Sequence, residues 1–392
     1  MRQTLRSHLR FAFAAFLLAA AAGVFFRFGA AGLLSLGPLG LRDIRHAHSH
    51  LMLFSWVTPV IAALVGLRLA ADPDSLWWWL VRLALGLGML SFPCFLLWGY
   101  EPATIGTARI PLAVIVSTLS MFVWYALACQ YRRRRPDGPP TEAFRLWNLA
   151  FILLVISTIG GWGRGAVAGM GIEDPFWQSA TVHSFVDLFA EGWLGIATLG
   201  LLYDRLDLSS DPLARRATRL MACGLPFVFL LGIRVDLVPP TLRMLGSLSG
   251  LLVAAGYLLH VTRLWQATRR PTLRLALATL ATKAAALALA ASPTIARWAE
   301  ANHLQIPYLH VFLLGFVSLV LLELALQRAL PDDRRPGVWP MYAAVALLLL
   351  TLWPATGLWP PGWLPDWRLT ITAAGSLGPP IVGLAYLPAL LD

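Results

Sequence analysis

Apolar runs of about 20 residues recur from one end of this 392-residue chain to the other, broken by short segments rich in arginine, proline and glycine. About 20 helical residues cross the roughly 30 Å hydrocarbon core of a bilayer. The repeated runs therefore predict a polytopic all-α membrane protein. Composition agrees: 58% of residues are hydrophobic and 13% are charged, against about 25% charged in soluble domains.

Cutting at charged and Pro/Gly-rich breaks gives twelve expected spans: 9–34, 47–70, 76–99, 109–131, 144–164, 177–203, 217–235, 241–264, 272–292, 304–327, 338–357 and 368–390. The third carries Arg82 and Pro93, and the twelfth carries Pro379 and Pro380. The loops are too short for a soluble domain, so one twelve-helix transmembrane domain over 1–392 is expected. The start, "MRQTLRSHLRFAFAAFLLAAAAGVFF", has the basic end and Ala-rich core of a signal peptide. Its apolar stretch runs on to Leu34 with more spans behind it, which reads as a retained first helix.

The net charge of +11 does not point to nucleic acid, because of where it sits. Thirty of the 31 basic residues are arginine, the exception being Lys283. They gather in short loops such as "QYRRRRPDG" (130–138), "LARRATR" (213–219), "QATRRPT" (266–272) and "PDDRRPG" (331–337). That is the positive-inside pattern. It predicts cytoplasmic termini, even-numbered spans running inward, and a bacterial inner membrane whose anionic lipids face the arginines. Cys94, Cys129 and Cys223 lie in or at the ends of separate spans with no CxxC spacing, suggesting neither disulfides nor zinc.

"RHAHSHLMLFSW" (45–56) puts His46, His48 and His50 at the outer start of the second expected span. His183 lies about six residues into the sixth and His310 about six into the tenth, roughly 9 Å below the outer end of each. Imidazole in hydrocarbon needs a partner. A haem iron held by two histidines from facing helices is the economical choice; copper is the rival. His50 and His310 share a frame: Ser55-Trp56-Val57 follow one, and Gly315-Phe316-Val317 follow the other, at +5 to +7. On the sixth span His183, Asp187 and Glu191 at i, i+4 and i+8 share a face, as a polar cavity or proton path would require. His260, at the inner end of the eighth span, and His8 carry no such pattern.

Taken together these residues resemble the catalytic-subunit superfamily of haem–copper oxidases and nitric oxide reductases. That resemblance implies a twelve-helix, oxidase subunit I-like bundle. It implies a low-spin, bis-histidine haem b held by His48 or His50 and by His310. Arg45-His46-Ala47-His48 fits the family's Arg-x-x-His and favours His48; the frame shared with His310 favours His50. Arg45, with Arg42, Arg109 and Arg164, is then a candidate for pairing haem propionates. His183, Asp187 and Glu191 match the polar positions of the reductase sixth helix. His183, His46 and His303 are candidate ligands of a second metal, copper or non-haem iron. The departures are as clear: Tyr308 stands where the family has the ligand of its active-site haem, and 217–235 lacks the histidine pair that completes the second metal site. The His46-Ala47-His48 triplet also resembles the nitric-oxide-response haem–copper membrane proteins.

These readings imply electron transfer, or the binding, sensing or reduction of nitric oxide or oxygen. No CxxCH for a covalent haem is present, so electrons from the outer side would need a donor protein or cytochrome c subunit. The competing class is a cofactor-free transporter using Asp187, Glu191, Arg82 and Glu323 as intramembrane charges, although the two halves show no clear repeat. A third is a structural subunit without chemistry.

Overall fold

The computed structural model describes residues 2–360 and 362–391. Among them ten helices are long and apolar enough to cross a bilayer: Gln3–Ala30, Leu41–Arg68, Leu76–Trp98, Leu112–Arg134, Glu142–Gly169, Pro175–Arg205, Pro240–Ala267, Pro271–Ala290, Gln305–Ala329 and Arg368–Leu391. The chain is an all-α, multi-pass membrane protein. The expected seventh and eleventh spans form shorter helices, Pro212–Val228 and Trp339–Thr351. At 1.5 Å per residue these are about 26 and 20 Å long, less than the hydrocarbon thickness. The first starts early because Asp211 caps it, accepting the Ala214 N–H at 3.0 Å, and Pro212 opens its first turn. It loses α geometry after Val228, two residues past Pro226.

Two compact units make up the chain. One runs to Arg134 and resumes at Leu321; the other is Arg135–Val320.

In the first unit the N-terminal helix, Arg2–Ala30, is part of the packed core. Phe13 and Phe16 place their rings 6.0 and 5.3 Å from Trp56. Arg10 donates to the carbonyls of Leu390 and Leu391 at 2.5 and 2.6 Å, satisfying acceptors that a helix C-terminus leaves open. The 41–68 helix begins six residues before the expected 47. Its first eleven residues, LRDIRHAHSHL, read as polar, yet Ile44, Ala47 and Leu51 are buried on one stripe. All three histidines of that segment are therefore helical. Pro93 leaves 76–98 continuous, whereas the last span breaks into Arg368–Gly375, Gly378–Leu384 and Leu387–Leu391 around Pro379 and Pro380. A short hairpin, Ala103–Ile105 with Ala108–Ile110, was not expected from the sequence; Gly106 at φ +62° makes its turn.

The second unit is built around the 175–205 helix. Every residue from Leu188 to Tyr203 is buried, as befits a helix that is core on all sides. Helices start cleanly here: Asp174 accepts the Phe176 N–H at 2.8 Å, and proline stands in the first turn of the helices at 175, 212, 240, 271 and 293. Large apolar side chains such as Ile159, Leu248 and Leu251 point outward, where lipid tails solvate them at no cost.

Candidate functional sites

On the 41–68 helix each histidine has its own setting. His50 donates from Nδ1 to the His46 carbonyl, one turn back, at 2.9 Å, and stacks on Phe95 with ring centroids 3.8 Å apart. His48 points the other way and donates from Nδ1 to the Ala19 carbonyl of the N-terminal helix at 2.7 Å. His46 meets Tyr100 edge-on at 4.9 Å. A carbonyl only accepts, so His48 and His50 carry a proton on Nδ1. In the neutral ring the lone pair is then on Nε2, the nitrogen left to bind a metal. Arg45, like Arg42 and Arg109, is exposed.

His310, in the second unit, repeats the local geometry of His50. Its Nδ1 donates to the Ile306 carbonyl, again one turn back, at 2.8 Å. Both histidines stand just ahead of a π-helical turn, His50 two residues before Met52–Val57 and His310 directly before Val311–Ser318. A third such turn, Leu188–Gly195, interrupts the 175–205 helix directly after Asp187. The frame seen for His50 and His310 extends to it, since Gly192-Trp193-Leu194 follow Asp187 at +5 to +7. Packing explains the frame. The small residue meets a neighbouring helix: Ser55 Oγ donates to the Leu85 carbonyl at 3.0 Å, Gly192 abuts Leu153 and Gly315 abuts Thr279. The aromatic residue, Trp56, Trp193 or Phe316, is buried in the core. Isolated π turns inside α-helices concentrate at functional sites.

The polar face of the 175–205 helix is a connected cluster. His183 Nδ1 lies 3.1 Å from Asp187 Oδ2. Gly232 covers the pair so closely that a Cβ there would overlap both His183 Nδ1 and Asp187 Oδ2. One turn further, Glu191 is buried inside the π segment. Lys283 Nζ donates to its Oε2 at 2.5 Å and Tyr308 OH to its Oε1 at 3.3 Å. Tyr257 OH donates to the Glu191 backbone carbonyl, also at 3.3 Å. The Lys283 ammonium stands over the rings of Tyr257, Phe312 and Tyr308 at 4.5, 5.0 and 5.7 Å, within cation–π range. The side chains of Lys283 and Glu191 are 0% and 8% exposed.

Lys283 and Tyr257 were not expected at the site. For Lys283 a signal existed: it is the single lysine of the chain and stands inside the apolar run LALATLATKAAALALA. Tyr257 carried none. Tyr308, read in the sequence as a missing ligand, is a donor to Glu191.

Other expectations change. His260, expected at the inner end of the eighth span with no particular role, is fully buried, and Tyr203 OH pairs with its Nδ1 at 3.0 Å. His8 is buried as well, bonded to the Thr4 carbonyl at 2.6 Å and set 5.0 Å from Trp78. His303 is exposed at φ +56°, just past the Pro293–Ala301 helix, where it ends that helix as a turn residue. Among the described residues no group of three or more His, Cys, Asp or Glu side chains is placed to hold a metal ion. The trio His183, His46 and His303 therefore finds no such grouping. Glu323, an intramembrane acid of the first unit, accepts from Gln327 Nε2 at 3.1 Å and Tyr342 OH at 3.2 Å.

The sequence matches no protein-family model and no curated protein.

Proposed function

We propose that the chain is a haem b-binding integral membrane protein of the inner membrane. Nε2 of His310 and Nε2 of His50 are its iron ligands in this reading. The observation that carries it is the repeated setting of these two histidines: each donates from Nδ1 to a carbonyl one turn back, and each precedes a π turn with the same small–aromatic–valine frame. Such bonding fixes the ring and raises the basicity of the other nitrogen, as the outer partners of metal-bound histidines do. His48, tied to Ala19 of the N-terminal helix, holds its own helix in place; it is the alternative ligand. Once bound, a bis-histidine haem would supply one-electron redox chemistry; a diatomic gas such as nitric oxide or oxygen would reach the iron only by displacing one of the two histidines. Arg45 is the candidate propionate partner. The Asp187–Glu191 face serves as a polar site whose acids hold or pass protons.

The arginine-rich loops support cytoplasmic termini and outer-side histidines. Electron delivery from outside then calls for a donor protein or cytochrome c subunit. A cofactor-free transporter gains little support, since Asp187, Glu191 and Glu323 each have side-chain partners and so need no cargo ion. The twelve-helix, oxidase subunit I-like bundle is part of the proposal, with 212–228 and 339–351 as its two short members.

The pyridine haemochrome of detergent-purified protein, expressed with haem supplied, tests this reading. One b-type haem per chain is expected. An iron-free preparation contradicts it.

A further inference from the structure

We infer that the resident cation of the polar site on the 175–205 helix is the Lys283 ammonium, seated where a metal ion bound by Glu191 would have to sit. The donor set leads there. A metal at this site would take its charge-neutralising oxygen from Glu191, but both carboxylate oxygens are engaged, Oε2 by Lys283 at 2.5 Å and Oε1 by Tyr308 at 3.3 Å. His183, the nearest imidazole on this helix, spends its Nδ1 on Asp187, and Gly232 seals that pair from the other side. The ammonium is enclosed by three rings from two helices, Tyr257 on one and Tyr308 and Phe312 on the other. An aromatic cage of this kind selects an organic cation over a hydrated metal ion, because rings offer π faces and no lone pairs. Lysine also suits the place better than arginine: it is a compact point charge on an apolar stem, where a guanidinium would bring five donors needing acceptors. In a chain whose other 30 Lys/Arg positions are all arginine, the single lysine stands at a position where compactness decides.

The functional consequence rests on the haem reading above, while the chemistry of the cation site does not. With the cation position filled covalently, the polar site offers a haem no second metal beside it. Splitting a diatomic ligand between two metals then has no second metal to use. One-electron transfer remains, with binding of a diatomic gas only where it displaces a histidine.

Because Lys283 is the sole lysine, lysine labelled with ¹³C at Cε reports on this site alone. The full chain in detergent, reduced so that any low-spin haem is diamagnetic, should give one side-chain signal. Ring currents should move its protons upfield of free lysine, and titration with Co²⁺ should leave it unbroadened. Co²⁺ stoichiometry should be equal in the wild type and in the charge-neutral double variant Lys283→Met/Glu191→Gln. A signal at the free-lysine position, selective broadening by Co²⁺, or one Co²⁺ lost in the double variant would each overturn the assignment. Haem content measured on the same samples separates failure of this inference from failure of the haem reading.

Discussion

Breaking the Lys283–Glu191 pair from one side should be far more damaging than removing it whole. Lys283→Met leaves a carboxylate whose side chain is 8% exposed, with the Tyr308 hydroxyl at 3.3 Å as its remaining side-chain donor. One-sided loss of a buried ion pair costs about 3–5 kcal/mol, because the surviving charge has lost water and gained nothing. Glu191→Gln should cost a similar amount, since the ammonium keeps its rings but loses its counter-charge. In the double variant no charge is buried. Methionine fits an aromatic cage, and glutamine still accepts from Tyr308, so a cost of about 1 kcal/mol is expected. The coupling between the two positions should then exceed about 4 kcal/mol, well above the 0.5–3 kcal/mol usual for contacting residues. Equilibrium unfolding in mixed micelles with increasing SDS, followed by far-ultraviolet circular dichroism, measures all four proteins. Additive losses, or a Lys283→Met variant within about 1 kcal/mol of wild type, would refute the reasoning.

Gly232→Ala should separate the His183–Asp187 pair, because a Cβ overlaps both partners; overpacking of this kind costs about 1–3 kcal/mol, and a melting temperature equal to wild type would count against the packed pair. For Asp211, burial raises the carboxyl, but the Ala214 N–H and Arg263 outweigh it and hold its pKa below the ordinary value. Its contribution to stability is thus present above about pH 4 and fades as pH falls through the lowered pKa. Unfolding rates of wild type and Asp211→Asn should differ most at pH 6 and draw together as pH falls through the lowered pKa; a difference that does not change with pH contradicts this. Tyr203→Phe removes the hydroxyl paired with His260 at 3.0 Å and should cost about 1–3 kcal/mol, readable in the same SDS titration.

The spans were legible because apolar length is a strong signal in sequence. Their limits were less so. The 41–68 helix was placed six residues late because Arg42, Asp43, Arg45 and the histidines mask a stripe of three buried residues. The 212–228 helix was placed five residues late because its opening, PLARRATR, reads as a basic loop, while Asp211 and Pro212 fix its start. At the sites, His183, Asp187 and Glu191 were legible from spacing along one helix. Their partners were not, since Lys283 and Tyr308 are 92 and 117 residues from Glu191 and spacing says nothing at that range. The π turns could not be read directly, although the small–aromatic–aliphatic frame that accompanies them was half visible.

Whether His310 and His50 hold a haem is decided by reduced-minus-oxidised optical spectra of the purified wild type, His310→Ala, His50→Ala and His48→Ala. A low-spin b-type spectrum is expected in the wild type and in His48→Ala, with its loss in His310→Ala and His50→Ala. A wild type without that spectrum, or one that survives unchanged in His310→Ala, would contradict it.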